Sequence, residues 1–104
     1  MVTLRLPDTV VEMLEHLDGE TQEQRVLSLV ASDLENRLRE CEREIGEYEL
    51  KHRTMFSEFS QAWREGKIPD PWSHDVERDY MVWEGLEAER RKWLSALRKL
   101  DQLR

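Results

Sequence analysis

The sequence predicts a mainly α protein: one short strand at its start, then helices that end in a long antiparallel hairpin. Three observations lead there. Apolar residues recur every three or four positions from Val10 onward, the period of a half-buried helix. Only 4 Gly and 3 Pro occur among 104 residues, so few breaks are available. Strict alternation of apolar and polar residues appears at one place, Val2-Thr3-Leu4-Arg5-Leu6, which is strand patterning.

The elements follow in order. In the strand, Val2, Leu4 and Leu6 share one face and Thr3 and Arg5 the other. Pro7 ends it, having no N–H for a ladder. Asp8 or Thr9 then caps a helix, and Thr9-x-x-Glu12 has the form of a capping box. Val10, Val11, Leu14 and Leu17 follow at helical spacing, and Asp18-Gly19 is a stop signal. Thr21-x-x-Gln24 is a second capping box. It opens a helix carrying Val26, Leu27, Val30, Ala31, Leu34 and Leu38. The pattern continues through Cys41, Ile45 and Tyr48 to His52, and onward to Phe56, Phe59 and Trp63. Thr54 is placed to cap a fresh helix, so a break at Lys51–Thr54 is one of two readings. Gly66-Lys67-Ile68-Pro69-Asp70-Pro71 is a loop. Asp70 or Ser73 caps the last helix, striped by Val76, Tyr80, Trp83, Leu86, Arg90, Trp93, Leu94, Leu97 and Leu100.

With a turn near Gly66–Ser73, an antiparallel hairpin pairs Trp63 with Val76, Phe59 with Tyr80, Phe56 with Trp83, Ile45 with Leu94, and Cys41 with Leu97 or Arg98. Apolar then meets apolar at almost every level, as in a coiled coil. The row Glu40–Glu49 is set near Arg90, Arg91, Lys92, Arg98 and Lys99. Residues 1–39 and 40–104 are read as two units.

Charge and composition exclude several classes. Lys and Arg total 16 against 23 Asp and Glu, a net charge of -7. Residues 1–39 carry 4 basic and 8 acidic groups. An acidic balance argues against nucleic-acid binding by the chain as a whole. No apolar run approaches the ~20 residues of a membrane helix, and no secretory h-region is present. The single Cys41 cannot form an intrachain disulfide framework, so a cytoplasmic, reducing setting is expected.

Enzyme chemistry is not expected. His16, His52 and His74 are widely spaced and form no metal-ligand motif. Cys41 lies among Glu40, Glu42 and Glu44, which raise a thiol pKa and blunt a nucleophile. No Gly-rich phosphate loop exists. No catalytic residue, cofactor or metal ligand is therefore assigned.

The order of strand, Pro, short helix, Gly turn and longer helix in VTLRLPDTVVEMLEHLDGETQEQRVLSLVASDLENRL, residues 2–38, resembles the ribbon–helix–helix module of antitoxin-like proteins. That resemblance implies a homodimer in which Val2–Leu6 pairs with its own copy. It also implies a shared core of Leu4, Leu6, Val10, Leu14, Leu17, Val26 and Val30. It makes Thr3 and Arg5 the base-reading face in a major groove, Arg5 being suited to guanine O6 and N7. Thr21, at a helix start, would meet a phosphate, and Arg25 would add another contact. Many such modules belong to antitoxins that repress their own operon and hold a toxin with their tail. The stretch IPDPWSHDVERDYMVWE, residues 68–84, also resembles small prokaryotic antitoxin-like proteins.

All four tryptophans lie between Trp63 and Trp93. Trp72, Tyr80 and Trp83 are candidate partner contacts, since such residues dominate binding hot spots. For Tyr80 and Trp83 the competing reading is hairpin core, because both fall on the paired stripe. Two functions are therefore expected: an antitoxin-type autoregulator binding operator DNA and a cognate toxin, or a dimeric coiled-coil adaptor with no DNA role.

Overall fold

The computed structural model describes residues 3–103 and contains four helices: α1 (Asp8–Leu14), α2 (Gln22–His52), α3 (Phe56–Arg64) and α4 (His74–Asp101). The mainly α expectation holds. The expected strand is not formed: residues 3–7 have no regular secondary structure, and Val2 lies outside the described residues. A lone strand has nothing to exchange backbone hydrogen bonds with in a single chain, which is the physical reason for the difference.

α1 begins two residues earlier than a Thr9 cap would place it, and one earlier than an Asp8 cap would. Pro7 is the N-cap, without a side-chain hydrogen bond, and its carbonyl accepts from Val10 and Val11 N–H at 3.0 and 3.1 Å. The Thr9–Glu12 box is therefore not made, because both residues are already inside the helix. The chain then turns through Gly19, at φ 134°; a Cβ there would lie 3.0 Å from the Arg25 amide nitrogen. Only glycine fits. The second box does form. Thr21 Oγ1 accepts from Gln24 N–H at 3.2 Å, while Gln24 Oε1 accepts from the Thr21 and Glu20 amides at 3.3 and 2.7 Å.

The break near Thr54 is real. Arg53 takes the left-handed conformation (φ 55°, ψ 38°), and the Thr54 amide donates to Glu49 O at 3.3 Å. This is the usual αL closure, made here without glycine. The N-cap of α3 is Met55 rather than Thr54; the Thr54 hydroxyl donates to the Glu58 carboxylate at 2.8 Å instead. α3 ends where Gly66, at φ 70°, lets Lys67 N–H reach Ala62 O at 2.8 Å. Ser73 caps α4, its Oγ accepting from Val76 N–H at 3.3 Å.

α2 and α4 form an antiparallel hairpin, but in a different register from the expected one. His52 meets Asp79, Tyr48 stacks on Trp83, Cys41 reaches the Leu86 carbonyl and Arg37 lies over Trp93. Cys41 was expected opposite Leu97 or Arg98, about three turns further along α4. α3 keeps the expected partners: Phe59 against Tyr80 and Phe56 against Trp83. The two registers differ because α2 and α3 are not one continuous helix. After Arg53 the chain steps back, so the end of α2 and the start of α3 both pack at the level of Trp83.

The acidic row of α2 therefore does not meet the basic end of α4. Glu40 and Glu47 pair with Arg43 of their own helix at 2.6 Å each. The register also brings α4's last turns alongside the start of α2: Leu103 and Leu27 line one shallow groove with Gly19 and Gln24. The molecule is a rod of 59 × 23 × 21 Å with a radius of gyration of 19.8 Å. A compact chain of this length would have a radius near 13 Å.

Candidate functional site

Two regions carry the candidate residues, one at each end of the rod. At the N-terminal end, Thr3 and Arg5 are exposed. Leu4 is 73% exposed, and Val10, Met13, Leu29 and Val30 are exposed with it. Of the shared-core residues, Leu14 alone is fully buried; Leu6, Leu17 and Val26 are half-buried. The apolar face expected to lie within a dimer is thus only partly covered in the single chain.

Thr21 and Arg25 stand close together, but their side chains are used locally. Thr21 Oγ1 is held in the capping box. Arg25 Nε donates to the Gly19 carbonyl at 3.2 Å, closing the α1–α2 turn. A phosphate at this helix start would meet backbone N–H groups, with Glu20 and Glu23 on either side.

At the other end lies an aromatic core. Trp83 is 0% exposed and is surrounded by Tyr48, His52, Phe56 and Phe59, with ring centroids 5.2–5.8 Å away. Its indole nitrogen has no hydrogen-bond partner, a cost offset only by the area the ring buries. Trp83 therefore offers no surface to a partner and belongs to the core stripe. Tyr80 is half-buried against Phe56, Phe59 and Trp63, with its hydroxyl 3.0 Å from Ser60 Oγ. Trp72 differs from both: it is 74% exposed and touches Trp63 edge-on at 5.7 Å. Trp72 with part of Trp63 is the aromatic surface that a partner can reach.

One group was missed by sequence reasoning. Asp79 sits on the seam-facing side of α4 and is only 6% exposed. It accepts from His52 Nε2 at 2.9 Å and Lys51 Nζ at 2.6 Å. Burial works to raise its pKa, but the hydrogen bonds from Lys51 and His52 and their charges outweigh that, holding the carboxyl below the ordinary aspartate value. Lys51 is raised in return, chiefly by its hydrogen bond to Asp79. The available signal was that His52 and Asp79 each fall on the helical repeat of an otherwise apolar stripe.

Cys41 is buried and donates to the Leu86 carbonyl at 3.1 Å. Burial pushes its thiol pKa up, and Glu89, Glu44, Glu87 and Glu42 add to the rise. A thiol in that setting stays protonated and unreactive. Among the described residues no group of three or more His, Cys, Asp or Glu could hold a metal ion, and no helix is long and apolar enough to cross a membrane. Comparison with protein-family models, with curated proteins and with solved structures finds no match to this chain.

Proposed function

We propose that the chain is an antitoxin-type transcriptional autoregulator. It dimerises through its first residues, binds operator DNA with Thr3 and Arg5, and holds a cognate toxin with its helical tail. One observation carries the reading: the segment Thr3–Pro7 forms no regular secondary structure, and the apolar residues Leu4, Val10, Met13, Leu29 and Val30 of the N-terminal third are all exposed. A second copy would pair the backbone of one strand with its twofold mate and cover that face at the same time. Pairing turns Thr3 and Arg5 outward together, which is the arrangement a β-ribbon needs to enter a major groove. Thr21 and Arg25 then flank the ribbon as backbone-contacting positions, Arg25 after exchanging its bond to Gly19 for a phosphate. Trp72 and the exposed edge of the aromatic end are the surface for the toxin.

The second reading is a dimeric coiled-coil adaptor without a DNA role. It is favoured by the charge: residues 1–39 carry only 4 basic groups for counterion release against 8 acidic ones, and Arg25 is already engaged.

Fluorescence anisotropy with the DNA upstream of the protein's own coding region separates the two, read at two salt concentrations. The first reading expects specific, salt-sensitive binding that Arg5→Ala abolishes while the dimer persists. Binding no better than to scrambled DNA contradicts it and leaves the adaptor.

A further inference from the structure

We infer that the hairpin has two registers, and that the His52–Asp79–Lys51 cluster holds it in the shorter one against the strain of the turned-back Arg53. Packing alone sets these registers, whatever the chain binds.

The facing stripes are regular. On α2, Leu27, Ala31, Leu34, Leu38, Cys41, Ile45, Tyr48 and His52 repeat by fours and threes. On α4, Val76, Asp79, Trp83, Leu86, Arg90, Trp93, Leu97 and Leu100 do the same. Two heptad stripes match again after any slide of one heptad, about 10 Å at ~1.5 Å per residue. In the structure His52 faces Asp79 and Tyr48 faces Trp83. That register sets Ala31 level with Leu100. One heptad further on, His52 faces Leu86, Ile45 faces Trp93, Cys41 faces Leu97 and Leu38 faces Leu100, so most of the seam stays apolar.

α3 already occupies the longer register, through Phe56 on Trp83 and Phe59 on Tyr80. A slide of α2 by one heptad toward the end of α4 would therefore bring α2 and α3 into line as one helix. The joint does not forbid this. Lys51-His52-Arg53-Thr54-Met55 contains neither Gly nor Pro. Arg53 adopts φ 55°, a conformation unfavourable for a residue with a Cβ, and straightening would relieve it. Three losses oppose straightening. Asp79 would lose His52 and Lys51, and Trp83 would lose Tyr48 and His52. The start of α2 would lose the cover it now has from α4's last turns, baring Leu27, Ala31 and Leu34. A buried polar pair that selects one register among near-equivalent ones is the best-attested role for such groups.

The test uses intramolecular disulfide formation in a Cys41→Ala chain. Ala31→Cys with Leu100→Cys reports the shorter register, and Leu38→Cys with Leu100→Cys the longer. In the otherwise native chain the 31/100 bridge is expected to form at least about tenfold faster, the factor that ~1.4 kcal/mol of preference gives. Asp79→Leu should speed the 38/100 bridge by about tenfold, and adding Arg53→Gly, which accepts the left-handed turn, should reverse that gain. A 38/100 rate unchanged by Asp79→Leu, in a chain still helical by circular dichroism, overturns the inference. So does equal bridging of both pairs in the otherwise native chain, or an Arg53→Gly chain with no reversal. Should Asp79→Leu fail to fold, His52→Leu is read in the same way; failure of both to fold shows that no second register is accessible, and also overturns it.

Discussion

At the residue scale, Asp79 and the tryptophans divide stability from surface. Asp79 has its pKa lowered in the folded chain. Its contribution to stability is therefore full above the unfolded aspartate value near ~3.9 and is lost as pH falls through the lower folded value. Lys51 runs the other way: with its folded pKa raised, its contribution is full below the ordinary lysine value and fades as pH rises through the folded one. Asp79→Asn keeps an acceptor but loses the charge, so it should cost about 1–2 kcal/mol at neutral pH. Thermal melts across pH check this: the gap between native chain and variant should be present at neutral pH and close in strong acid, as the Asp79 carboxylate is protonated. A gap that grows in acid would contradict the assignment. Trp83 and Trp72 make the complementary contrast. Trp83→Ala should cost about 3–5 kcal/mol in urea denaturation, whereas Trp72→Ala, at an exposed edge, should stay within about 0.5 kcal/mol. A large loss at Trp72 would make it part of the core rather than an available surface.

At the element scale, helix ends were more legible than helix pairing. Thr21-x-x-Gln24, Gly66 and Ser73 act where local chemistry places them, because caps and left-handed turns are decided within a few residues; α1 instead ends at Leu14, ahead of the Asp18-Gly19 stop. Thr9 failed as a cap because Pro7 offers the helix a start that needs no side chain. The break at Arg53 could be suspected from Thr54 but not required, since nothing in Lys51–Met55 forbids a helix. That single uncertainty changed the register of the whole hairpin. With it went the expected pairing of the acidic row with Arg98 and Lys99. Two substitutions bear on this scale. Thr21→Ala removes one half of the capping box and should cost about 1 kcal/mol. Arg53→Gly suits the left-handed turn and should add about 0.5–1 kcal/mol after the entropy of the unfolded glycine is counted. Chemical denaturation monitored by helicity measures both; a loss of stability in Arg53→Gly would mean the arginine side chain supports the turn.

At the scale of the whole molecule, the N-terminal third and the hairpin are less separate than composition suggested. Leu103, just past α4, shares a groove with Leu27 and the Gly19 turn, so residues 1–39 do not stand apart from the hairpin. Sequence patterning identified Leu4, Val10 and Val30 as an apolar set but could not say what covers them, because a period reports a face and not its neighbour. In the single chain that face is open, and both functional readings close it with a second copy. Sedimentation equilibrium of the full chain tests this most directly, alongside Leu4→Glu. The account predicts twice the chain mass for the native protein and a shift toward the single chain when Leu4 carries a charge. A native chain that remains a monomer at the concentrations where it is folded would contradict both readings, since neither leaves that face in water.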